Sequence, residues 1–243
     1  MRRLALAFLV CLAAAPAAAE RRVALELVLL ADATGSIDAA EIRFQREGYA
    51  EALTDPAVIA AIEHAGPVAI TYVEWADHRS QDVVADWTVI ETAADAARFA
   101  EALLPPPRRA FGRNAIGAAL LAGRRLIEEN GISSDRQVID LSADSANNWN
   151  GPSIAEARAE VLAAGITING LAVLCRICSG RPVTYDLERA FDERIVGGDG
   201  AFVVTADGSE SFAQAVRRKL VLELVGDGGR AWARARRIAR PVR

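Results

Sequence analysis

The stretch VLLADATGSID, residues 28–38, runs as aliphatic side chains, stops at Asp32, and is followed at once by Thr34, Gly35, Ser36 and Asp38. A carboxylate and two hydroxyls spaced two apart are hard oxygen donors, the type that Mg²⁺ or Mn²⁺ prefers. Two other stretches carry matching groups. FGRNAIG puts Asn114 at the start of a helical pattern, and QVIDLSADSANN puts Asp144 just past an apolar strand. If the strand ending at Asp32 neighbours strand 137–142, then Asp32, Thr34, Ser36, Asn114 and Asp144 converge on one small octahedral ion with a position open for water or a partner's carboxylate. No cysteine or histidine belongs to the set, which argues against zinc. Each residue also has an ordinary structural role: Asp32 or Asp38 capping the helix that follows, Asn114 as an N-cap, Asp144 as a turn residue.

Other chemistries fit less well. A phosphate-transferring aspartate would want a second aspartate two residues on, and Thr34 stands there. Neither G-x-G-x-x-G nor G-x-x-x-x-G-K-[ST] follows the first strand, so nucleotide binding has no support. The two histidines, His64 at a helix end and His78 in a polar hairpin loop, follow no nucleophile elbow. A hydrolase or phosphatase-like enzyme built on Asp32 is therefore the alternative, beside a metal-free structural or interaction domain, and binding without catalysis is the leading expectation. LCRICSG holds Cys175 and Cys178. A loop, not a helix, follows them, which favours a short structural disulfide in an oxidising compartment over a redox pair.

These residues need elements to hold them. VALELVLLA (23–31), PVAITYVEW (67–75), VVADWTVI (83–90), QVIDLS (137–142), ITINGLAVL (166–174) and AFVVT (201–205) read as strands. Helical spacing marks 38–53, 93–104, 114–130 and 153–164, a segment near 184–193, and 209–224. Strands apolar on nearly every residue, alternating with helices, mean an α/β fold: a doubly wound, mostly parallel six-stranded sheet covered by helices on both faces. The short loop ADHRSQD makes 67–75 and 83–90 an antiparallel pair at one edge. Trp75 and Trp87 read as packing of that hairpin. In such sheets ligands bind beyond the carboxyl ends of the strands, where strand order reverses.

The 243 residues, 52% hydrophobic and 25% charged, suit one domain over 20–225. Residues 1–19 have Arg2 and Arg3, an apolar run and a closing Ala17-Ala18-Ala19, the form of a secretory signal peptide cut before Glu20. No other apolar run is long enough to span a membrane, so a secreted or periplasmic protein is expected. The segment 226–243 has six arginines and one aspartate and reads as a basic, disordered tail. Taking its +5 and the leader's +2 from the formal −4 leaves −11 for the folded part, which argues against nucleic acid as partner.

With these residues in view, Asp32-x-Thr34-x-Ser36, a later polar helix-start residue and Asp144 after the fourth strand resemble the metal-ion-dependent adhesion site (MIDAS) of von Willebrand factor type A domains. QREGYAEAL, DPAVIAAI, VAITYVEW, AIG, VIDLSAD, AGITINGL and GAFVV…FAQAVRRKL resemble more closely a bacterial group of secreted A-type domains, domain-of-unknown-function family 1194, over residues 23–224. The resemblance implies direct coordination by Thr34 and Ser36, coordination through water by Asp32, and a protein partner that supplies an acidic residue to the cation. Departures exist. Thr34 replaces a serine, Asn114 stands where a ligand threonine is usual, Ala118 stands where an acid is frequent, and SADS lacks both glycines of SGDG. They bear on metal affinity and not on the fold.

Overall fold

Residues 21–174, 185–207 and 211–226 are described in a computed structural model. The leader (1–19), the tail from 227 onward and the Cys175–Cys178 pair lie outside the described residues.

The sheet has six strands: β1 (Arg21–Asp32), β2 (Val68–Trp75), β3 (Gln81–Ile90), β4 (Ile132–Ala143), β5 (Thr167–Val173) and β6 (Val203–Ala206). Their spatial order is β3-β2-β1-β4-β5-β6. Only β2 and β3 pair antiparallel, at the edge; β1 runs parallel to both β2 and β4. The chain therefore winds outward one way from β1 to β2 and the other way from β4 to β5, and strand order reverses between β1 and β4. The candidate residues were expected at that kind of junction.

Among the described residues seven helices cover the sheet: α1 (Ala39–Leu53), α2 (Pro56–Ala65), α3 (Ala93–Leu103), α4 (Ile116–Glu128), α5 (Ile154–Ala163), α6 (Leu187–Arg194) and α7 (Phe212–Val225). Alternation along each strand sends side chains to two cores. Leu25, Leu27 and Leu29 meet Tyr49 and Leu53 of α1, Ile62 of α2, Phe99 of α3 and Leu220 of α7. Val28 and Leu30 meet Leu120 of α4, Val161 of α5 and Phe191 of α6. Burying a side chain of this size contributes about 1.5–3 kcal/mol, so both faces must be covered. Trp75 is fully buried, and Trp87 packs across to α4, its Nε1 donating to Leu126 O at 3.2 Å.

Helix starts follow local chemistry. Asp38 with Glu41, Thr92 with Asp95, Ser153 with Glu156 and Ser211 with Gln214 each form a capping box, the hydroxyl or carboxylate meeting the third backbone N–H and the acid or amide reaching back. The helix expected over 114–130 starts instead at Ile116, and its cap position is Ala115, with no side-chain cap bond. The reason is tertiary. Ala115 donates to Ala76 O at 3.0 Å and bridges Asn148, whose Oδ1 takes the N–H of Gly117 at 3.0 Å. A distant asparagine thus supplies the cap, and Asn114 does not act as one.

Candidate functional site

Asp32 is the last residue of β1, and Asp38, not Asp32, caps α1. The Asp32 carboxylate instead closes its own turn: Oδ1 accepts from Thr34 N at 2.8 Å. Thr34 Oγ1 lies 3.1 Å from Ser36 Oγ, so the two hydroxyls stand together beside that carboxylate. Asp32 and Thr34 are almost fully buried, and Ser36 is half-buried. Asp144 follows the end of β4 by one residue, and its charge acts on Asp32. Asn114 Nδ2 donates to Ser145 Oγ at 3.0 Å, tying the loop before α4 to the residue after Asp144. All five residues predicted from sequence are thus gathered over the carboxyl ends of β1 and β4.

Electrostatics mark the same point. Asp32 is pushed up to about 7, first by burial and then by the Asp144 charge; its bonds from Thr34 and from the Asp144 backbone pull the other way. Asp32 Oδ2 is buried with no hydrogen-bond partner. A buried carboxylate oxygen without a donor is costly, and a proton or a cation relieves it. Among the described residues no three His, Cys, Asp or Glu side chains gather as a metal cluster. The donor set is two carboxylates with hydroxyls and an amide, suited to a hard ion and poor for a soft one.

A second group of residues, unpredicted from sequence, fixes this loop. Arg108 donates from Nη2 to Ala33 O at 2.5 Å and Thr34 O at 3.0 Å, from Nη1 to Ile37 O at 2.7 Å, and from Nε to Ala110 O at 3.0 Å. Gln45 Nε2 donates to Asp32 O at 3.2 Å. Gly35 N donates to Gly112 O at 2.8 Å and Ala33 N to Trp75 O at 2.9 Å. The carbonyls of Ala33, Thr34 and Ile37 are thus held by a guanidinium, so the hydroxyls of Thr34 and Ser36 stand on a set backbone. No periodic signal announces Arg108; three prolines before it were its only flag.

Of the histidines, His78 Nδ1 lies 2.6 Å from Asp77 Oδ1 in the β2–β3 turn. His64 lies in the last turn of α2, which leads into the amino end of β2, whereas Asp32 stands at the carboxyl end of β1. Buried charges elsewhere serve the frame. Arg46 Nε donates to Glu74 at 2.7 Å, Glu26 accepts from Asn130, Ser134 and Gln137, and Lys219 Nζ lies 2.6 Å from Asp140 and 2.5 Å from Glu223.

No functionally curated protein matches the chain. Solved structures match the fold at low identity. Proximal thread matrix protein 1 from the mussel byssus is similar with a TM-score of 0.57 and 17% identity, over 87% of this chain and 49% of that one. Another structure of that protein, at 15% identity and the same score and coverage, has a zinc-occupied MIDAS motif. The vWF domain of the type V pili tip protein Mfa5 from Porphyromonas gingivalis is similar with a TM-score of 0.53 and 11% identity, over 84% and 96% of the two chains. The pilus adhesin SpaC from Lactobacillus rhamnosus GG follows at 0.56 and 14%, over 84% and 30%. The chain spans about half the length of the mussel protein and under a third of SpaC. These likenesses establish the von Willebrand A fold, and the family model described as "Protein of unknown function (DUF1194)" matches residues 22–228: the chain belongs to that family.

Proposed function

We propose that this domain binds a protein partner through a divalent cation, Mg²⁺ or Mn²⁺, held in the crevice between β1 and β4. Thr34 and Ser36 supply hydroxyl oxygens, Asp32 and Asp144 supply charge directly or through water, and Asn114 offers its amide oxygen. The bound ion would act as a Lewis acid that accepts a carboxylate from the partner at its open position. The observation that carries this reading is the buried, unpartnered Oδ2 of Asp32, on a side chain that also feels the charge of Asp144. The zinc-occupied MIDAS of the mussel protein, on the same fold, makes a cation here plausible chemistry. Binding and not catalysis is the role we assign, because His78 is engaged with Asp77, His64 lies toward the amino ends of the strands, and the Asp32 carboxylate beside Thr34 and Ser36 is taken up by the cation. Export fits the leader-like first residues, and no helix among the described residues is long and apolar enough to cross a membrane.

Thermal unfolding in chelator, Mg²⁺ and Mn²⁺ tests the reading. An ion at a hundred times its Kd adds about 2.7 kcal/mol to the folded state. The wild type should rise in Tm and Asp32→Ala should not. Identical melting curves for the wild type in all three conditions would sink the proposal.

A further inference from the structure

Three of the six large hydrophobic side chains that stand exposed among the described residues are aromatic: Phe111 (58% exposed), Trp149 (59%) and Tyr185 (43%). Scattered exposed apolar residues are ordinary on a protein surface. These three are not scattered, because each is joined to a loop that carries a candidate ligand. Trp149 N donates to Asn114 O at 2.7 Å. Phe111 precedes Gly112, whose carbonyl takes the N–H of Gly35, between Thr34 and Ser36. Tyr185 OH accepts from Ala146 N at 2.8 Å, two residues past Asp144.

The backbone under the two larger patches is set in advance. Phe111 N donates to Ser80 Oγ at 2.9 Å. Gly112 has φ +128°, and a Cβ there would stand 2.5 Å from Asp77 Cβ; Gly151, with φ +73°, would meet His78 Cβ at 2.7 Å. Asn150 Nδ2 donates to Asp77 Oδ2 at 2.7 Å. Loops interlocked in this way present their aromatic rings without an ordering cost on binding, which is how interface anchors contribute most. Charge is set beside the rings. The Arg113 guanidinium carbon lies 4.1 Å from the Trp149 ring centre and that of Arg108 lies 4.9 Å from Phe111. Arg79, Arg109 and Arg113 are exposed and form no ion pair among the described residues. The surface round the crevice is therefore aromatic and cationic, although the folded body is acidic.

We propose that Phe111, Trp149 and Arg113 form the rim of a peptide-recognition surface that takes an acidic segment of a partner protein, one with a large apolar residue within two positions of its carboxylate. The proposal rests on the cation reading for the place of that carboxylate and adds what must flank it. The cation alone would accept any exposed acid; the rings discriminate by burying the neighbouring side chain, and the unpaired arginines disfavour basic segments.

A random-peptide display library, selected on the 20–243 chain in millimolar Mg²⁺, tests it. Enriched sequences should carry Asp or Glu with Leu, Ile, Phe, Tyr or Trp within two positions. A resynthesised peptide should bind Trp149→Ala and Phe111→Ala at least about tenfold more weakly than wild type, as for interface anchors, while both variants keep the wild-type Tm shift with Mg²⁺. Enrichment of acidic peptides without an apolar neighbour, affinity unmoved by both substitutions, or no enrichment over an unrelated protein would each overturn the proposal. Failure of the cation reading shows separately, as a wild type whose Tm ignores Mg²⁺; an apolar preference that persists in chelator and is lost in Trp149→Ala would then leave the rim standing alone.

Discussion

The Asn114 side chain donates its Nδ2 to Ser145 Oγ at 3.0 Å, which ties the loop before α4 to the loop that carries Asp144 and leaves Oδ1 out of that bond. The asparagine side chain is longer than the threonine usual at this place, so its amide oxygen must draw back to reach the same ion. Asn114→Thr should therefore deepen the Mg²⁺-dependent rise in Tm, and Asn114→Leu should abolish it with little loss of stability in chelator. Differential scanning fluorimetry across a Mg²⁺ titration reads both; equal midpoints for Thr, Asn and Leu at this position would remove Asn114 from the site.

The metal-free protein should lose stability as pH rises from about 4 to about 7. Burial pushes both Asp32 and Asp140 up to about 7, against an ordinary value of about 3.9 in an unfolded chain. Between those limits the folded state holds protons that the unfolded state has released, so each unit of pH disfavours folding, and the loss levels off above 7. A shift of one unit corresponds to about 1.4 kcal/mol, so even part of this displacement is measurable in urea titrations at pH 5 and 8. Asp32→Asn should flatten the profile. Mg²⁺ competes with the proton on Asp32 and should give a larger Tm shift at pH 8 than at pH 5.5; the reverse order would argue that Asp32 is not a ligand.

Lys219 lies fully buried between Asp140 and Glu223. At pH 8, above the displaced titration of Asp140, Lys219→Met should destabilise by about 3–5 kcal/mol, because two carboxylates stay buried without their cation. The combined Lys219→Met, Asp140→Leu, Glu223→Leu change should recover most of that loss. Urea unfolding of the two variants tests the pair; a combined variant as weak as the single one would mean that the charges contribute more than each other's neutralisation.

Gly117 stands in the first turn of α4, where alanine is normally the better helix former by about 1 kcal/mol. A Cβ there would meet Pro152 O at 2.2 Å. Gly117→Ala should accordingly destabilise by about 1–3 kcal/mol, the usual range for overpacking, and loosen the loop that carries Trp149. A Tm at or above wild type would show that the two loops can part freely.

The sheet and its winding were legible because period and punctuation are local: apolar runs bounded by Gly, Pro and capping residues mark five parallel strands and one antiparallel edge strand. The gathering of Asp32, Thr34, Ser36 and Asp144 was legible for a related reason, since the neighbouring places of β1 and β4 bring their carboxyl ends together. What escaped was set by partners far away in sequence. Asn148 caps α4 from a later loop, displacing Asn114 from that role, and Arg108 grips the carbonyls of Ala33, Thr34 and Ile37 across 71 or more positions. Glu26, Glu74 and Asp140 are each an acid inside an apolar strand, and their partners Asn130, Arg46 and Lys219 lie outside those strands, where no local pattern links them.

The place of β1 in the middle of the sheet has a consequence for how the chain folds. Its residues are the first of the domain to be made, and eight of the twelve are apolar. On one side β1 is sealed by β2, but on the other it must wait for β4, whose Gln137 meets Glu26 across 111 positions. Pairings that far apart close late and slow the search for the native state. Until β4 arrives, one long edge of β1 stays open to any strand that meets it. Substitutions that weaken β4 should therefore show first as aggregation during refolding, at rates that climb with protein concentration, before they show as a lower melting point.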